Sequence, residues 1–269
     1  MLPRMSRRFA NSVVWITGAS SGIGAALAAA FSAEGAAVIL SARREQLLEA
    51  LAAQLGRPED TLILPLDVSD GASVAAAAAQ ALAWRGRIDI LVNNAGISQR
   101  SGVVETSMET TRHVMEVNYF GVVDLTSRVL PSMLSRGAGH IVNISSVAGY
   151  VSTPMRSAYA ASKHAVRSYS NALRAEVSRR GLKVTVVCPG YIRTDISKSA
   201  LTGDGTPKGE HDQVVLSGMD PAVAARKILK GVSRGRAEIY IGGREVLAIY
   251  IQRFVPFVGL WLLPYSAPE

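Results

Sequence analysis

The sequence contains a single cysteine, Cys188, in a chain of 269 residues. One cysteine excludes an internal disulfide framework and any metal site built from several thiolates. Cys188 also lies in the apolar run 184–188, which is typical of a buried strand. We therefore expect the protein in a reducing compartment, the cytoplasm.

Histidines are also few, and the N-terminus lacks a long apolar run. The four histidines have no cysteine partner and no helical pair at ligand spacing, so we predict no metal site. The basic residues 1–8 are followed by the polar pair Asn11 and Ser12, and the apolar core and cleavage site of a signal peptide are missing.

Acidic residues are fewer than basic ones, at 21 against 29, which gives a formal net charge of +8. A positive balance is typical of proteins that bind nucleic acid, a membrane surface or an anionic cofactor. The basic residues are spread along the chain and no block of them alternates with aromatic residues, so we predict no nucleic-acid partner.

Short runs rich in Val, Ile and Leu alternate with longer segments of helical periodicity. The predicted strands are residues 13–17, 37–41, 61–66, 88–93, 140–145, 183–188 and 238–241. The predicted helices are residues 23–34, 44–55, 72–84, 108–134, 159–179 and 221–232. Uniformly apolar strands joined by helices indicate a parallel sheet buried on both faces. The sequence predicts one α/β domain, residues 1–269, with a doubly wound, mostly parallel seven-stranded sheet and helices on both faces.

The segment 198–218 breaks this alternation. It is rich in Gly, Ser, Thr, Asp and Lys and has no clear period. In a doubly wound sheet, ligands bind at the carboxyl ends of the strands, and this segment follows the sixth strand. We predict a mobile surface loop that covers the substrate.

Residues 17–24 read T-G-A-S-S-G-I-G, directly between the first predicted strand and the first helix. Gly18 permits a tight turn, Gly22 lets the backbone approach a pyrophosphate, and Gly24 lets the helix pack closely on the strand. The helix N-terminus directs N–H groups and a positive dipole end at phosphate. This spacing favours a dinucleotide site over an ordinary strand-to-helix turn. It lacks the Lys-Ser/Thr ending of a nucleoside triphosphate loop, which disfavours phosphoryl transfer.

The end of the second predicted strand bears on the choice of dinucleotide. An acidic side chain there binds the ribose 2′-hydroxyl of NAD, whereas an arginine pairs with the 2′-phosphate of NADP. Residues 41–44 read S-A-R-R and contain no acid. Arg43, with Ser20, therefore favours NADP(H), the alternative being that these arginines are solvated residues at a helix start.

Tyr159 and Lys163 are four residues apart in a predicted helix, so they share one face. A phenol with a pKa of ~10 is a poor acid or base at neutral pH until a nearby cation favours the phenolate. We predict that Lys163 supplies this cation and that Tyr159 transfers a proton. Ser145 and Ser146 follow the fifth strand, and either hydroxyl could hold a substrate oxygen. A surface Tyr-Lys pair and a turn-capping serine are the structural alternatives.

Together these motifs resemble the short-chain dehydrogenase/reductase family. The chain has that family's T-G-x-x-x-G-x-G turn, an Asp after the third strand, N-N-A-G at residues 93–96 and Y-x-x-x-K at residues 159–163. The resemblance covers about residues 13–194. It implies a Rossmann-like domain and an oxidoreductase that transfers hydride between NADP(H) and a carbonyl or alcohol carbon of a small molecule.

The resemblance also implies residue roles. The expected catalytic set is Asn118, Ser146, Tyr159 and Lys163, with Ser146 lying 13 residues before Tyr159 as the family's serine does. Ser146 and Tyr159 would contact substrate, Lys163 would also hold the nicotinamide ribose, and Asn118 would hold a water that links Lys163 to solvent. The expected cofactor-binding residues are Gly18, Ser20, Ser21, Gly22, Ile23, Gly24, Arg43, Arg44, Asp67, Val68, Asn94, Ala95, Gly96, Tyr159, Lys163, Pro189, Gly190, Ile192 and Thr194.

Substrate class and turnover are less specified. Residues 145–149 with Pro154 and Met155 resemble the branch of hydroxysteroid dehydrogenases and related membrane-associated reductases, which implies an apolar ketone. Reductases of 3-oxoacyl thioesters share many of the same motifs and are one alternative. A cofactor-binding regulator without turnover is another, because fold does not imply function.

The most apolar part of the chain is its C-terminal segment, residues 244–264. Gln252, Arg253 and Pro256 interrupt it, so no run approaches the ~20 residues of a bilayer-spanning helix. It could be a core helix, a subunit contact over the substrate entrance, or a patch that enters lipid through Phe254, Phe257 and Trp261 beside Arg244 and Arg253. We favour the subunit contact and expect a homo-oligomer, a dimer or a tetramer, with peripheral membrane contact as the next interpretation.

Overall fold

Seven parallel strands form the centre of the protein, in a computed structural model that describes residues 8–262. They are β1 (Val13–Thr17), β2 (Ala37–Ser41), β3 (Thr61–Ile63), β4 (Ile90–Asn93), β5 (Gly139–Ile144), β6 (Leu182–Pro189) and β7 (Glu238–Ile241). Their order across the sheet is β3-β2-β1-β4-β5-β6-β7, and every neighbouring pair is parallel. The predicted doubly wound, Rossmann-like fold is confirmed.

Helices connect the strands and cover both faces of the sheet. They are α1 (Gly22–Ala33), α2 (Glu45–Leu55), α3 (Gly71–Arg85), α4 (Met108–Met115), α5 (Gly121–Arg136), α6 (Ser157–Val177), α7 (Gln213–Leu216), α8 (Pro221–Ser233), α9 (Leu247–Phe254) and α10 (Pro256–Leu262). In β1, Val14 and Ile16 pack with α1, α2 and α8, while Val13 and Trp15 pack with α3, α5 and α6. This alternation follows from the two-residue period of a strand.

Two predicted elements differ from the structure. The predicted strand 61–66 is shorter, because Pro65 has no N–H for the ladder and β3 is the edge strand. The N–H groups of Leu64 and Leu66 still donate to the carbonyls of Leu40, in β2, and Ala42, directly after it. The segment therefore continues alongside β2 beyond the end of β3. Most other predicted ends shift by one or two residues.

The predicted helix 108–134 is interrupted by a π-helical turn, Glu116–Phe120, between α4 and α5. Asn118 lies at the centre of this turn and is fully buried. Gly121 follows directly, and a Cβ there would lie 2.5 Å from the Val68 carbonyl oxygen. The hydrophobic period alone could not reveal this widened turn, because the apolar residues on either side continue the helical pattern.

The segment 198–218 is bonded to the chain that follows β4. The N–H of Leu201 donates to the Ser98 carbonyl at 2.9 Å, and the N–H of Arg100 donates to the Leu201 carbonyl at 2.7 Å. α7 lies near the end of this segment. These bonds hold residues 198–218 over the carboxyl edge of the sheet, while its mobility stays a prediction.

The C-terminal segment has a buried part and an exposed part. Ile249 of α9 is fully buried against Tyr150, Val186 and Cys188. In contrast, Phe254 and Phe257 are each 71% exposed, so the interpretation of the whole segment as a core helix is wrong. Residues 263–264 of this segment, and residues 1–7 of the basic N-terminus, lie outside the described residues. In the part of the chain that is described, no helix has the length and apolar character to cross a membrane.

Candidate active site

Two adjoining cavities open at the carboxyl ends of the strands, on either side of the point where the strand order reverses between β1 and β4. The first, about 620 Å³, lies over β1, β2 and β4, and the second, about 300 Å³, lies beside β5, β6 and α6. Their shared wall contains Ile23, Asn94, Gly96 and Thr194. We call them the dinucleotide cavity and the catalytic cavity.

The floor of the dinucleotide cavity is the glycine turn between β1 and α1. Gly18 and Gly22 have φ angles of +65° and +56°, which side chains of L-residues rarely adopt. A Cβ at Gly24 would lie 2.2 Å from the Gly18 carbonyl oxygen. Ser21 begins α1 without a side-chain cap, so the first N–H groups of the helix stay available to a ligand. The turn therefore forms a backbone cradle that suits a pyrophosphate.

The turn after β4 is fixed directly to β1. The Thr17 hydroxyl accepts from the N–H groups of Asn94 and Ala95, each at 3.0 Å, and the Asn94 side chain donates to the Thr17 carbonyl at 2.9 Å. A Cβ at Gly18 would lie 2.9 Å from Ala95. Asn94 is therefore a structural clamp between two strands as well as part of the cavity wall.

Both arginines after β2 line the dinucleotide cavity and are exposed. Arg44 donates to the Ser20 hydroxyl at 3.2 Å, which joins the end of β2 to the glycine turn. Asp67 lies in the same wall. Burial would raise the pKa of Asp67, but hydrogen bonds from Ser69 and the charge of Arg43 hold it below its usual value. Asp67 is therefore ionised at neutral pH.

Tyr159 and Lys163 project from the first turns of α6 into the wall of the catalytic cavity, where both are buried. Lys163 Nζ lies 5.8 Å from the centre of the Tyr159 ring and donates to the Ile144 carbonyl at 3.1 Å. Burial lowers the pKa of Lys163 to about 8. Burial raises the pKa of Tyr159, and a hydrogen bond from Ser146 and the charge of Arg156 oppose this rise.

Several groups surround the Tyr159 phenol. Ser146 and Arg156 oppose the effect of burial on its pKa. The Lys163 ammonium donates to a strand carbonyl and also lies over the Tyr159 ring, and burial disfavours its charged form. Tyr159 and Lys163 therefore lie together on one side of α6, and the effect of Lys163 on the phenol stays a prediction.

The two serines after β5 have different surroundings. The Ser145 hydroxyl donates to the Lys163 carbonyl at 2.9 Å and thereby fastens α6 to β5. The Ser146 hydroxyl accepts from the Ala148 N–H at 3.1 Å, donates to the Pro189 carbonyl at 3.4 Å, and lowers the pKa of the neighbouring Tyr159 phenol. Ser146 is thus the serine whose oxygen adjoins the phenol, and its expected catalytic role stays a prediction.

Asn118 and Gly24 line neither cavity, unlike the other predicted site residues. The Asn118 side chain exchanges two hydrogen bonds with the backbone of Ile97, at 2.8 and 2.9 Å, and also donates to the Ser162 hydroxyl. It therefore positions the chain after β4 against α6. The other predicted residues that line the catalytic cavity alone are Ser146, Tyr159, Lys163, Pro189, Gly190 and Ile192, and the rest lie in the dinucleotide cavity or the shared wall.

The sequence interpretation missed several charged residues of the catalytic cavity. Arg100, Arg156, Asp212 and Glu245 line it. Arg156 comes three residues before Tyr159, and this proximity was the available signal. The other three come from separate segments without a motif. Within residues 8–262, no group of three or more His, Cys, Asp or Glu side chains could hold a metal ion.

The sequence matches the short chain dehydrogenase family over residues 12–204. It is 43% identical to "Dehydrogenase/reductase SDR family member 7B" of Danio rerio, an alignment that covers 95% of this chain and 86% of the relative. A short-chain dehydrogenase of Sphingobium yanoikuyae in complex with NADPH has a TM-score of 0.77 and 32% identity over 93% of this chain and 95% of its own.

A short-chain dehydrogenase/reductase of Burkholderia phymatum in complex with NAD is similar as well, with a TM-score of 0.81 and 27% identity over 97% of this chain and 98% of its own. The family match spans β1 to β6 and most of the residues that line the two cavities. This chain belongs to the short-chain dehydrogenase/reductase family, in the branch of the member 7B relatives.

Proposed function

We propose that this protein is an NADP(H)-dependent oxidoreductase that transfers hydride between nicotinamide and a carbonyl or secondary alcohol carbon. One observation carries this proposal: the two cavities share a wall that includes Asn94 and Gly96. On one side of this wall lies the backbone cradle that suits a pyrophosphate, and on the other lie Ser146 and the buried Tyr159. A ligand that spans both cavities would bring its reactive end to the buried Tyr159 phenol, which lies beside Ser146.

The preference for NADP(H) rests on Arg43 and Arg44. Both side chains are exposed in the dinucleotide cavity, and residues 41–44 include no acid to repel a 2′-phosphate. The glycine turn would hold the pyrophosphate, Asp67 and Val68 the adenine, and Lys163 the ribose next to nicotinamide. Solved relatives are described with NADPH and with NAD, so the fold by itself leaves both cofactors open.

A bound nicotinamide cofactor would supply or accept the hydride. Ser146 donates a hydrogen bond to the substrate oxygen and holds the reacting carbon in place. Tyr159 gives its phenol proton to that oxygen during reduction and takes it back during oxidation. Lys163, at a pKa of about 8, is partly charged near neutral pH and can return a proton to the phenol through a bridging hydroxyl.

The substrate body is apolar in this proposal. Much of the catalytic cavity wall is aliphatic, with Val147, Val151, Ile192 and Val215 among its residues. A 3-oxoacyl thioester reductase has the same chemistry on a longer ligand. We also propose that the protein acts in the cytoplasm as a homo-oligomer through its exposed C-terminal phenylalanines, with peripheral membrane contact as the competing use of that surface.

The test is NADPH oxidation by the purified protein with steroid, aromatic, sugar and acyl-thioester ketones, and NADP+ reduction with the matching alcohols. We expect turnover of an apolar ketone. If the protein binds NADPH tightly but turns over none of the ketones and none of the alcohols, the result would instead support a cofactor-binding regulator.

A further inference from the structure

The catalytic cavity contains a charged cluster that the mechanism above does not use. Arg100 and Arg156 line the cavity together with Asp212, and their side chains are only 9%, 16% and 7% exposed. Charged groups at this depth are costly unless they are paired or bind a charged ligand. Their burial beside Ser146 and Tyr159 calls for a specific reason.

Three cations in this cluster share one carboxylate. Arg100 and Lys208 form ion pairs with different oxygens of Asp212, and Arg156 lies 3.6 Å from the same carboxylate. Burial lowers the pKa of Arg100, and the neighbouring charge of Arg156 lowers it further, while Asp212 opposes both effects. The cluster therefore carries more positive than negative charge.

The other acid of the cavity wall is held elsewhere. Glu245 accepts hydrogen bonds from the backbone N–H groups of Tyr191, at 2.8 Å, and Gly243, at 2.9 Å. Its carboxylate has no ion pair with Arg100 or Arg156 among the contacts of residues 8–262. Glu245 therefore closes the turn after β6, and the two arginines have only a share of the Asp212 carboxylate to balance their charge among the ion pairs of the described residues.

The same arginines also have unused donors. Nη1 of Arg100 and Nε of Arg156 are buried and have no hydrogen-bond partner within the described chain. Buried donors are nearly always satisfied in folded proteins, and an unsatisfied guanidinium N–H carries a substantial desolvation cost. A ligand with oxygen acceptors and negative charge would satisfy both the donors and the charge.

We propose that the substrate is a ketone or alcohol with an apolar body and one anionic group, a carboxylate or a phosphate monoester, which Arg100 and Arg156 bind. This inference deepens the proposed function and rests on it. The aliphatic wall holds the body while the two guanidiniums hold the anion. The arginines thus select the substrate and orient its carbonyl toward Ser146 and Tyr159.

A structural role for Arg100 makes a different prediction. Its ion pair with Asp212 joins the chain after β4 to the segment 198–218. The backbone hydrogen bond from Arg100 to Leu201 makes the same connection. If the pair only fastened this segment, its loss would affect charged and neutral substrates equally. Substrate charge therefore separates the two roles.

The experiment compares three ketones with the same apolar body, one ending in a carboxylate, one in a phosphate monoester and one in a neutral carboxamide. We expect the unmodified protein to favour an anionic ketone at least ~10-fold in kcat/KM, which corresponds to ~1.4 kcal/mol. Arg100→Gln should lose most of this preference through KM, with the carboxamide changed less than ~3-fold. Arg156→Gln should lose the preference as well and should also lower kcat on all three ketones, because the charge of Arg156 acts on the Tyr159 phenol.

Arg193→Gln is the matched control. Arg193 also follows a strand of the sheet and also forms an ion pair, with Asp220, but it lines neither cavity. It should leave the preference unchanged. Arg156→Gln guards against misfolding, since Arg156 has no direct hydrogen bond to Asp212. Equal loss on all three ketones would overturn the proposal in favour of the structural role, and the difference between the first two identifies the anion.

Calorimetry separates this proposal from the proposed function. Tyr159→Phe loaded with NADPH should bind the anionic ketone more tightly than the carboxamide, and the double variant with Arg156→Gln should not. Selective binding without turnover by the unmodified protein would overturn the proposed function and keep the anion site. Turnover of all three ketones at equal kcat/KM would do the reverse.

Discussion

The dinucleotide cavity and the catalytic cavity share a wall but are built by different means. The first is formed mostly by short turns after β1, β2, β3 and β4, and part of the segment that follows β6 completes its wall. The second is formed by side chains from the chain after β4, the start of α6, the segment 198–218 and the start of α9. A consecutive motif can therefore specify a cofactor cradle, whereas the substrate site needs the whole fold.

The two cavities also use arginine differently. Arg43 and Arg44 are exposed, so their charges are screened by water and cost little when no ligand is present. Arg100 and Arg156 are largely buried and compete for one carboxylate. Exposed arginines suit a common cofactor, while buried ones suit discrimination between substrates because each unpaired donor carries a cost.

The largest expected effect is confined to the catalytic cavity. Tyr159→Phe should lower kcat by about 10²–10⁴-fold because it removes the transferable proton and keeps the ring. The Kd for NADPH, measured by fluorescence, should stay within a few-fold. Tyr191→Phe removes another phenol hydroxyl from the same wall and should keep most of the turnover. A parent-like kcat for Tyr159→Phe would exclude the phenol as the proton donor.

A smaller effect is expected in the dinucleotide cavity. Arg43→Glu should lower kcat/KM for NADPH by ~10-fold or more relative to NADH, because a repulsive carboxylate replaces a cation at the 2′-phosphate. Arg128→Glu, on the exposed surface of α5, is the charge-reversal control. Steady-state assays with both cofactors decide the matter, and an unmodified protein that uses NADH as well as NADPH would contradict this interpretation of Arg43.

Lys163 should affect stability as well as turnover. Its pKa is about 8 in the folded protein against an ordinary 10.5, so the unfolded chain binds more protons between these values. Stability therefore rises with pH across this window, and at neutral pH the buried lysine is a cost. Lys163→Met should raise the Tm of the cofactor-free protein, by about 2–4 °C for each kcal/mol regained.

The Tm gain of Lys163→Met should shrink as pH rises from about 8 toward 10.5, because the parent loses its penalty there. Scanning calorimetry over this range measures it. Lys227→Met removes an exposed lysine of α8 and should show no such trend. A gain that is constant with pH would mean that Lys163 is charged in the folded protein throughout.

The smallest expected effect on either cavity comes from the C-terminal surface. Changing Phe254 and Phe257 to Ser removes two side chains that are each 71% exposed. If they form a subunit contact, light scattering should show a lower mass while NADPH affinity stays the same. An unchanged mass with reduced sedimentation on anionic liposomes would favour lipid contact, and no change in either would exclude both.

Local chemistry made much of the protein predictable from sequence. The glycine turn was readable because glycine adopts the φ angles at Gly18 and Gly22 far more easily than other residues, and because a Cβ at Gly24 would clash with the Gly18 carbonyl oxygen. The common face of Tyr159 and Lys163 followed from helix geometry alone. Apolar strands alternating with helices predicted the parallel sheet, because only burial on both faces accounts for strands of that composition.

Tertiary structure decided what depends on partners distant in sequence. In the widened turn, the Asn118 side chain bonds the Ile97 backbone, and Arg100 meets Asp212 across 112 residues. The environment of Lys163 was also undetermined, since its low pKa comes from burial under neighbouring strands. Sequence spacing fixes angles within an element, but only the packing of elements fixes which charges face each other and how much water surrounds them.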